Sequence, residues 1–192
     1  MTREHDGGEG YLTGQLLVAM PAMRDPRFAQ AVVFICAHTA DSAMGIVINR
    51  PLDGLTFDAL LEQLKVAPAP PARRIRMHAG GPVETGKGFV LHTTDWVRDG
   101  SLKVDGRFAL SSSIDVLRAF ARGEGPRQGM LALGYAGWGA GQLDEEILQN
   151  AWLSVPADEA FVFAGEPGAM WRGALSMLKV DPLLLSGAAG RA

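Results

Sequence analysis

Cysteine is nearly absent from this 192-residue chain: Cys36 is the only one, so no intramolecular disulfide can form, which fits a reducing compartment. Positive charge is also short, with 18 Lys and Arg against 21 Asp and Glu and a net charge of −3. A chain so balanced has no electrostatic footprint for wrapping nucleic acid, whose affinity rests on neutralising phosphates. Direct nucleic-acid binding is therefore not expected. No apolar run approaches the roughly 18 residues of a membrane span. The opening MTREHDGGEG lacks the basic start and apolar core of a secretory signal. The expectation is a cytoplasmic protein with no membrane association.

What is present suits one globular core. Hydrophobic residues make up 47% of the chain and charged residues 20%, inside the folded range. The length is enough for one domain and short for two, so residues 1–10 read as a flexible tail and 11–192 as a single compact domain. Residues 15–20 (QLLVAM), 31–38 (AVVFICAH) and 44–49 (MGIVIN) are β-branched apolar runs, and the last two are too closely linked for anything but an antiparallel hairpin. Residues 75–80 and 88–93 flank a turn-rich GPVETGK and predict a second hairpin. AFVFA at 160–164 reads as a further strand.

Helices are predicted from Thr56, as cap, to about Val66, from Ser112 or Ser113 to Gly123, and over 169–178. Leu143, Ile147, Leu148, Ala151 and Trp152 form an apolar stripe on another, with Trp152 in the core. The APAPPA stretch at 67–72 reads as an extended surface loop. The whole is an α+β protein with a mixed, mainly antiparallel sheet and flanking helices.

Three segments stand out as candidate binding surfaces. Gly134, Tyr135, Gly137, Trp138 and Gln142 lie where an apolar strand empties into a glycine-rich loop and an acidic helix start. That topology can cradle an anion, yet the spacing is neither GxGxxG nor a nucleotide loop. Asp144, Glu145 and Glu146 would also repel phosphate at the positive helix end. Gly80, Gly81 and Pro82 form an irregular turn whose backbone groups can meet a ligand, or a bulge that only turns the chain. Asn49, Arg50 and Pro51 leave a sheet end, and Arg50 can grip a carboxylate or phosphate or pair locally with Asp53.

Catalytic material is sparse. Cys36 and His38 are two apart on a predicted strand and so share a face, but Cys36 sits in an apolar run that favours an inert thiol. Ser111, Ser112 and Ser113 lack the Gly-x-Ser-x-Gly elbow and are placed to cap a helix. His38, His78 and His92 with Glu84 or Asp95 show no metal-ligand spacing. Arg73, Arg74 and Arg76 form a short basic cluster, accounted for equally by a solvated edge or a phosphate contact. No metal or cofactor is expected, and no catalytic residue is assigned.

The wording of residues 129–152, GMLALGYAGWGAGQLDEEILQNAW, resembles the YqgE/AlgH family of bacterial proteins. Similar support comes from Met20-Pro21 and Met23, the strand ending in His38, AMGIVINRP at 43–51, Gly80-Gly81-Pro82-Val83 and the closing Gly190-Arg191-Ala192. Ser42, where the family commonly has glycine, and the N-terminal extension are departures. The resemblance implies an α+β fold with a largely antiparallel sheet curled toward a barrel. It implies no established activity and carries over no catalytic residues. Some members bear a transcriptional-regulator label, but no helix-turn-helix signal is visible here.

The expected function is therefore a non-catalytic regulatory or binding module for a small molecule or protein partner, with oligomeric state open. The alternatives are an enzyme drawing on His38, His78, His92, Glu84 and Asp144, and a regulator of transcription without a recognisable DNA-binding motif.

Overall fold

The computed structural model describes residues 11–69 and 74–187. The N-terminal ten residues, Arg73, part of the proline-rich stretch and the closing Gly190-Arg191-Ala192 lie outside them. In chain order the elements are β1 (Gln15–Ala19), β2 (Val32–His38), β3 (Ala43–Val47), α1 (Phe57–Gln63), β4 (Arg76–Ala79), β5 (Val83–Thr93), β6 (Leu102–Lys103) and β7 (Phe108–Ser111). There follow α2 (Ile114–Ala121), β8 (Gly129–Trp138), α3 (Gln142–Leu148), β9 (Trp152–Pro156), α4 (Glu159–Ala164), α5 (Pro167–Met177) and α6 (Pro182–Gly187). The fold is α+β, and its sheet curls into a half-barrel.

The strands form one nine-stranded sheet in the order β6-β7-β5-β8-β3-β2-β1-β9, with β4 also paired to β8. Every pairing is antiparallel except β4 with β8. Both faces are covered, which is why β1 and β2 read as unbroken apolar runs rather than alternating ones. Leu16, Val18, Phe34, Ile46, Leu91 and Met130 share one core with Val162 and Phe163 of α4 and Met170, Trp171 and Leu175 of α5. The Trp171 indole donates to the Ala19 carbonyl at 2.7 Å, tying α5 to β1.

Two smaller cores lie apart from that one. Leu17, Val33, Ile35, Val47, Ala136 and Trp138 pack with Leu143 of α3 and with Trp152, while Val90 and Leu131 pack under Phe57 and Leu61 of α1 and Val116, Leu117 and Phe120 of α2. Thr56 caps α1 through its side chain, as its position implies, and the helix ends at Gln63, short of Val66. Ser113 occupies the N-cap of α2 without a side-chain capping bond.

Several expectations are corrected. Residues 75–80 and 88–93 do not form a hairpin. Instead β8 lies between them: β4 pairs with it in parallel, Met77 opposite Leu131, and β5 pairs with its other edge, Val90 opposite Leu131. The intervening chain crosses β8 at Gly80, Gly81 and Pro82. A Cβ on Gly80 would run into the Gly134 carbonyl, one on Gly81 into the Tyr135 backbone, and one on Gly134 into the Gly81 carbonyl. Only glycine lets two backbones approach so closely. A hydrophobicity pattern does not carry that information.

AFVFA is helical, not extended. Asp158 caps it by accepting from the Ala160 N–H, and Val162 and Phe163 turn into the core. α3 stops at Leu148, which is 82% exposed rather than inward, and Trp152 is core as expected but begins strand β9. A local stripe that continues across a turn cannot be told from one long helix. β6, β7 and β9 are further strands that the sequence pattern alone does not predict. Cys36 and His38 do not share a face. The register of β2 on β3 slips between Ile35 and Ala37, so the extra residue at Cys36 sends His38 to the face of its partner Ala43.

Candidate functional site

α3 starts directly after β8, from Gly141 in the left-handed conformation. Gln142 accepts from the Gly139 N–H at 3.0 Å and donates to Glu146 Oε1 at 2.9 Å, one helical turn on. Glu146 Oε2 accepts both indole N–H groups, from Trp138 at 2.9 Å and from Trp152 at 2.8 Å. One carboxylate thus joins the end of β8, the middle of α3 and the start of β9. The indole rings meet edge to face at 6.1 Å, and Phe28 stands edge-on to Trp152 at 5.7 Å. Trp138 is buried.

Beside these rings lies a cleft of about 310 Å³. Met23, Phe28, Trp138 and Trp152 supply its apolar lining, Pro82 and Val83 come from the β8 crossing, and Asp25, Arg27, Gln142 and Glu146 supply polar groups. Asp25 and Arg27 form a fork-like ion pair, closest approach 2.7 Å, whose hydrogen bonds hold the Asp25 carboxyl below its ordinary range. The Arg27 guanidinium also sits 5.7 Å from the Phe28 ring centroid.

The three candidate segments meet here in unequal roles. Pro82, Gly137, Trp138 and Gln142 line the cleft. Arg50 and Asn49 hold one of its walls. The Arg50 guanidinium donates to the carbonyls of Arg27, Ala29 (2.9 Å) and Pro26 (3.4 Å), and Asn49 accepts from the Val32 N–H and donates to the Gln30 carbonyl, both at 2.9 Å. The carbonyls of a tight loop thus engage Arg50, and among the described residues no ion pair joins it to Asp53. Pro51 bridges to His78 of β4. Gly80, Gly81 and Gly134 serve the chain crossing. Tyr135 packs edge-on to Phe89 at 5.8 Å, on the opposite face of β8 from Trp138.

Asp25, Arg27, Phe28, Glu146 and Trp152 went unremarked as site residues in the sequence. Glu146 reads as one more acid on a solvated helix face. Its signal is weak: it stands four residues after Gln142, on the turn that looks back to the indoles.

The titratable groups of the enzymatic alternative do not assemble. His38 accepts from the Leu12 N–H through Nδ1 at 3.1 Å and places Nε2 3.7 Å from Asp144, the one pair among them that meets. Glu84 sits exposed on a bulge at φ +46°. His78 is buried with neither ring nitrogen partnered among the described residues. His92 turns instead to Ser111. Burial pushes the Cys36 thiol up to about 12, leaving it a packing residue. Among the described residues no group of three or more His, Cys, Asp or Glu is placed to hold a metal ion, and no helix is long and apolar enough to cross a membrane.

A half-barrel sheet whose long strand is crossed at paired glycines and ends in a carboxylate-tethered tryptophan cleft defines an α+β protein class. The family model described as AlgH-like matches residues 16–183, and this chain belongs to that family. It is 54% identical to a UPF0301 protein of Rhodospirillum rubrum over 184 residues, 96% of each chain, and 49% identical to one of Gluconobacter oxydans, covering 94% of this chain and 98% of that one. The solution structure of the AlgH protein from Pseudomonas aeruginosa is similar at TM-score 0.76 and 45% identity, with both chains covered in full. The crystal structure of protein DIP2367 from Corynebacterium diphtheriae shares the fold at TM-score 0.70 and 23% identity, over 97% of this chain and 94% of that one.

Proposed function

We propose that this protein is a regulatory or binding module of the bacterial cytoplasm, and that the cleft beside Trp138 and Trp152 is a non-catalytic site that takes a small molecule or a side chain presented by a protein partner. One observation carries the reading: segments far apart in the chain, 23–28, 82–83, 137–146 and 151–152, converge on a single concavity with an apolar lining and a few fixed polar groups. That is the usual make-up of a ligand site. Glu146 with three donors on it, and Asp25 paired to Arg27, are organised to position an occupant rather than to transfer protons. A lone buried thiol supports the cytoplasmic assignment. A regulatory role follows if occupancy steadies the 23–30 loop, which Arg50 and Asn49 already hold from behind.

The test is a thermal-shift and tryptophan-fluorescence screen of the full chain against small organic acids, amines, nucleotides and sugar phosphates. A true occupant at about 100 times its Kd adds roughly 2.7 kcal/mol of stability. It also changes the emission of Trp138 and Trp152, and Phe28→Ala weakens it. Hits whose affinity ignores Phe28→Ala and Gln142→Ala would move the site elsewhere.

A further inference from the structure

β5 and β7 pair with Val90 opposite Ser111 and His92 opposite Ala109. Opposed residues share a sheet face, as do residues two apart on a strand, so Val90, His92 and Ser111 project to the same side. That side is covered by α1 and α2, and between helices and strands runs a groove of about 220 Å³ walled by Leu60, Leu64, Leu117, Val90 and Leu131, with Ser111 also lining it. It is distinct from the tryptophan cleft.

The hydrogen bonds around Ser111 run in one direction. His92 Nδ1 lies 2.8 Å from the Thr93 carbonyl, which can only accept, so Nδ1 carries the proton. In the neutral ring Nε2 is then a bare acceptor, and the Ser111 hydroxyl, 2.8 Å away, donates to it. Ser101 Oγ, 2.8 Å from Ser111 Oγ, must donate in turn, and it accepts from the Arg98 N–H at 3.3 Å. Burial favours the neutral imidazole, although the Thr93 carbonyl and Asp95 oppose that effect. Trp96 stands edge-on to the His92 ring at 5.8 Å. A hydroxyl aimed at a neutral imidazole, whose other nitrogen is fixed by an acceptor, is the arrangement that activates a serine.

We propose that Ser111 is a nucleophile with His92 as its base, and that the adjoining groove receives the acyl chain of an apolar carboxylic ester. Ser111 Oγ bonds to the ester carbonyl carbon while its proton passes to His92 Nε2. The bond from that carbon to the alcohol oxygen breaks, and the departing alcohol takes the proton from Nε2. Water then repeats the sequence on the acyl-serine: its proton goes to Nε2, its oxygen to the carbonyl carbon, and Ser111 leaves reprotonated with release of the carboxylic acid. The groove volume holds roughly seven groups of methylene or water size, a medium-length chain.

The experiment is phosphonylation of the full-length protein by an alkyl fluorophosphonate, followed by intact mass and fragmentation of the tryptic peptide 108–118, which also holds Ser112 and Ser113. One adduct per chain is expected, on Ser111, forming at least about 100-fold faster in the folded than in the urea-denatured protein. Ser112→Ala retains it, Ser111→Ala removes it, and the labelling rate falls with pH as the imidazole protonates. Site mapping on the unaltered chain makes the result independent of whether any variant folds. No adduct, an adduct on another residue, or equal labelling of folded and denatured chains overturns the proposal. Labelling reports on Ser111 and the ligand screen on the tryptophan cleft, which share no lining residue, so failure of one reading is distinguishable from failure of the other.

Discussion

Trp138 and Trp152 donate their indole protons to the same oxygen of Glu146, at 2.9 and 2.8 Å, across 14 residues of sequence. Both rings are buried, so each N–H depends on that carboxylate. Glu146→Ala strands two donors, and a stranded buried donor costs about 1–3 kcal/mol. The expected loss is about 2–4 kcal/mol, a fall in Tm of roughly 5–15 °C for a chain of this size, with altered tryptophan emission. Glu146→Gln, which keeps an acceptor oxygen, loses less. Equal stability of wild type and Glu146→Ala by calorimetry would deny the tether its structural role.

The glycine crossing gives a sharp contrast. Gly81 has φ +151° and no room for a Cβ against the Tyr135 backbone, whereas Gly86 has open space around its Cβ position and ordinary φ. Gly81→Ala is expected to cost at least about 3 kcal/mol through strain and overpacking. Gly86→Ala should stay within about 0.5 kcal/mol. Urea midpoints of the two variants measure the difference.

Arg50 spans three loop carbonyls with one planar fork. A lysine ammonium cannot reproduce that reach. Arg50→Lys should loosen residues 24–30 by about 1–3 kcal/mol of local opening, seen as faster amide exchange there while β8 amides keep their protection. Unchanged exchange in the loop would remove Arg50 as the support of the cleft wall.

His78 gives a pH signature. Burial first, then the Arg76 charge, lower its pKa from 6.5 to about 4, with the Arg50 backbone opposing part of the effect. The unfolded chain therefore binds the proton more readily between pH 6.5 and 4, and stability falls across that window as pH drops; above 6.5 nothing is lost. The cost at pH 5 is about 2 kcal/mol. His78→Leu should flatten the stability profile between pH 7 and 5, measured by urea unfolding. A profile as steep as the wild type's would place the titration elsewhere, with His92 the next buried imidazole to test.

Legibility in the sequence followed the range of the interactions. Local signals held: β1, the β2–β3 hairpin, α1 behind Thr56, α2 before Gly123 and the Trp171 and Leu175 stripe of α5 all rest on apolar runs, short connections, capping or helical spacing within a few residues. Signals that imitate one another failed. AFVFA has strand composition but helix ends, and β4 with β5 has hairpin spacing but a third strand between them.

The sequence by itself determined an α+β chain with one lone cysteine, a mainly antiparallel sheet and the segments from which a cleft is made, because periodicity and turn chemistry are local properties. Tertiary structure alone decided which face each residue serves. It sent Tyr135 and Trp138 to opposite sides of β8, turned Glu146 from a solvated helix face to two indoles, spent Arg50 on a loop, and carried His92 to Ser111. Those outcomes depend on a backbone crossing at Gly81 and pairings between residues tens of positions apart, where the partner's location sets the contact and neighbouring residues hold no record of it.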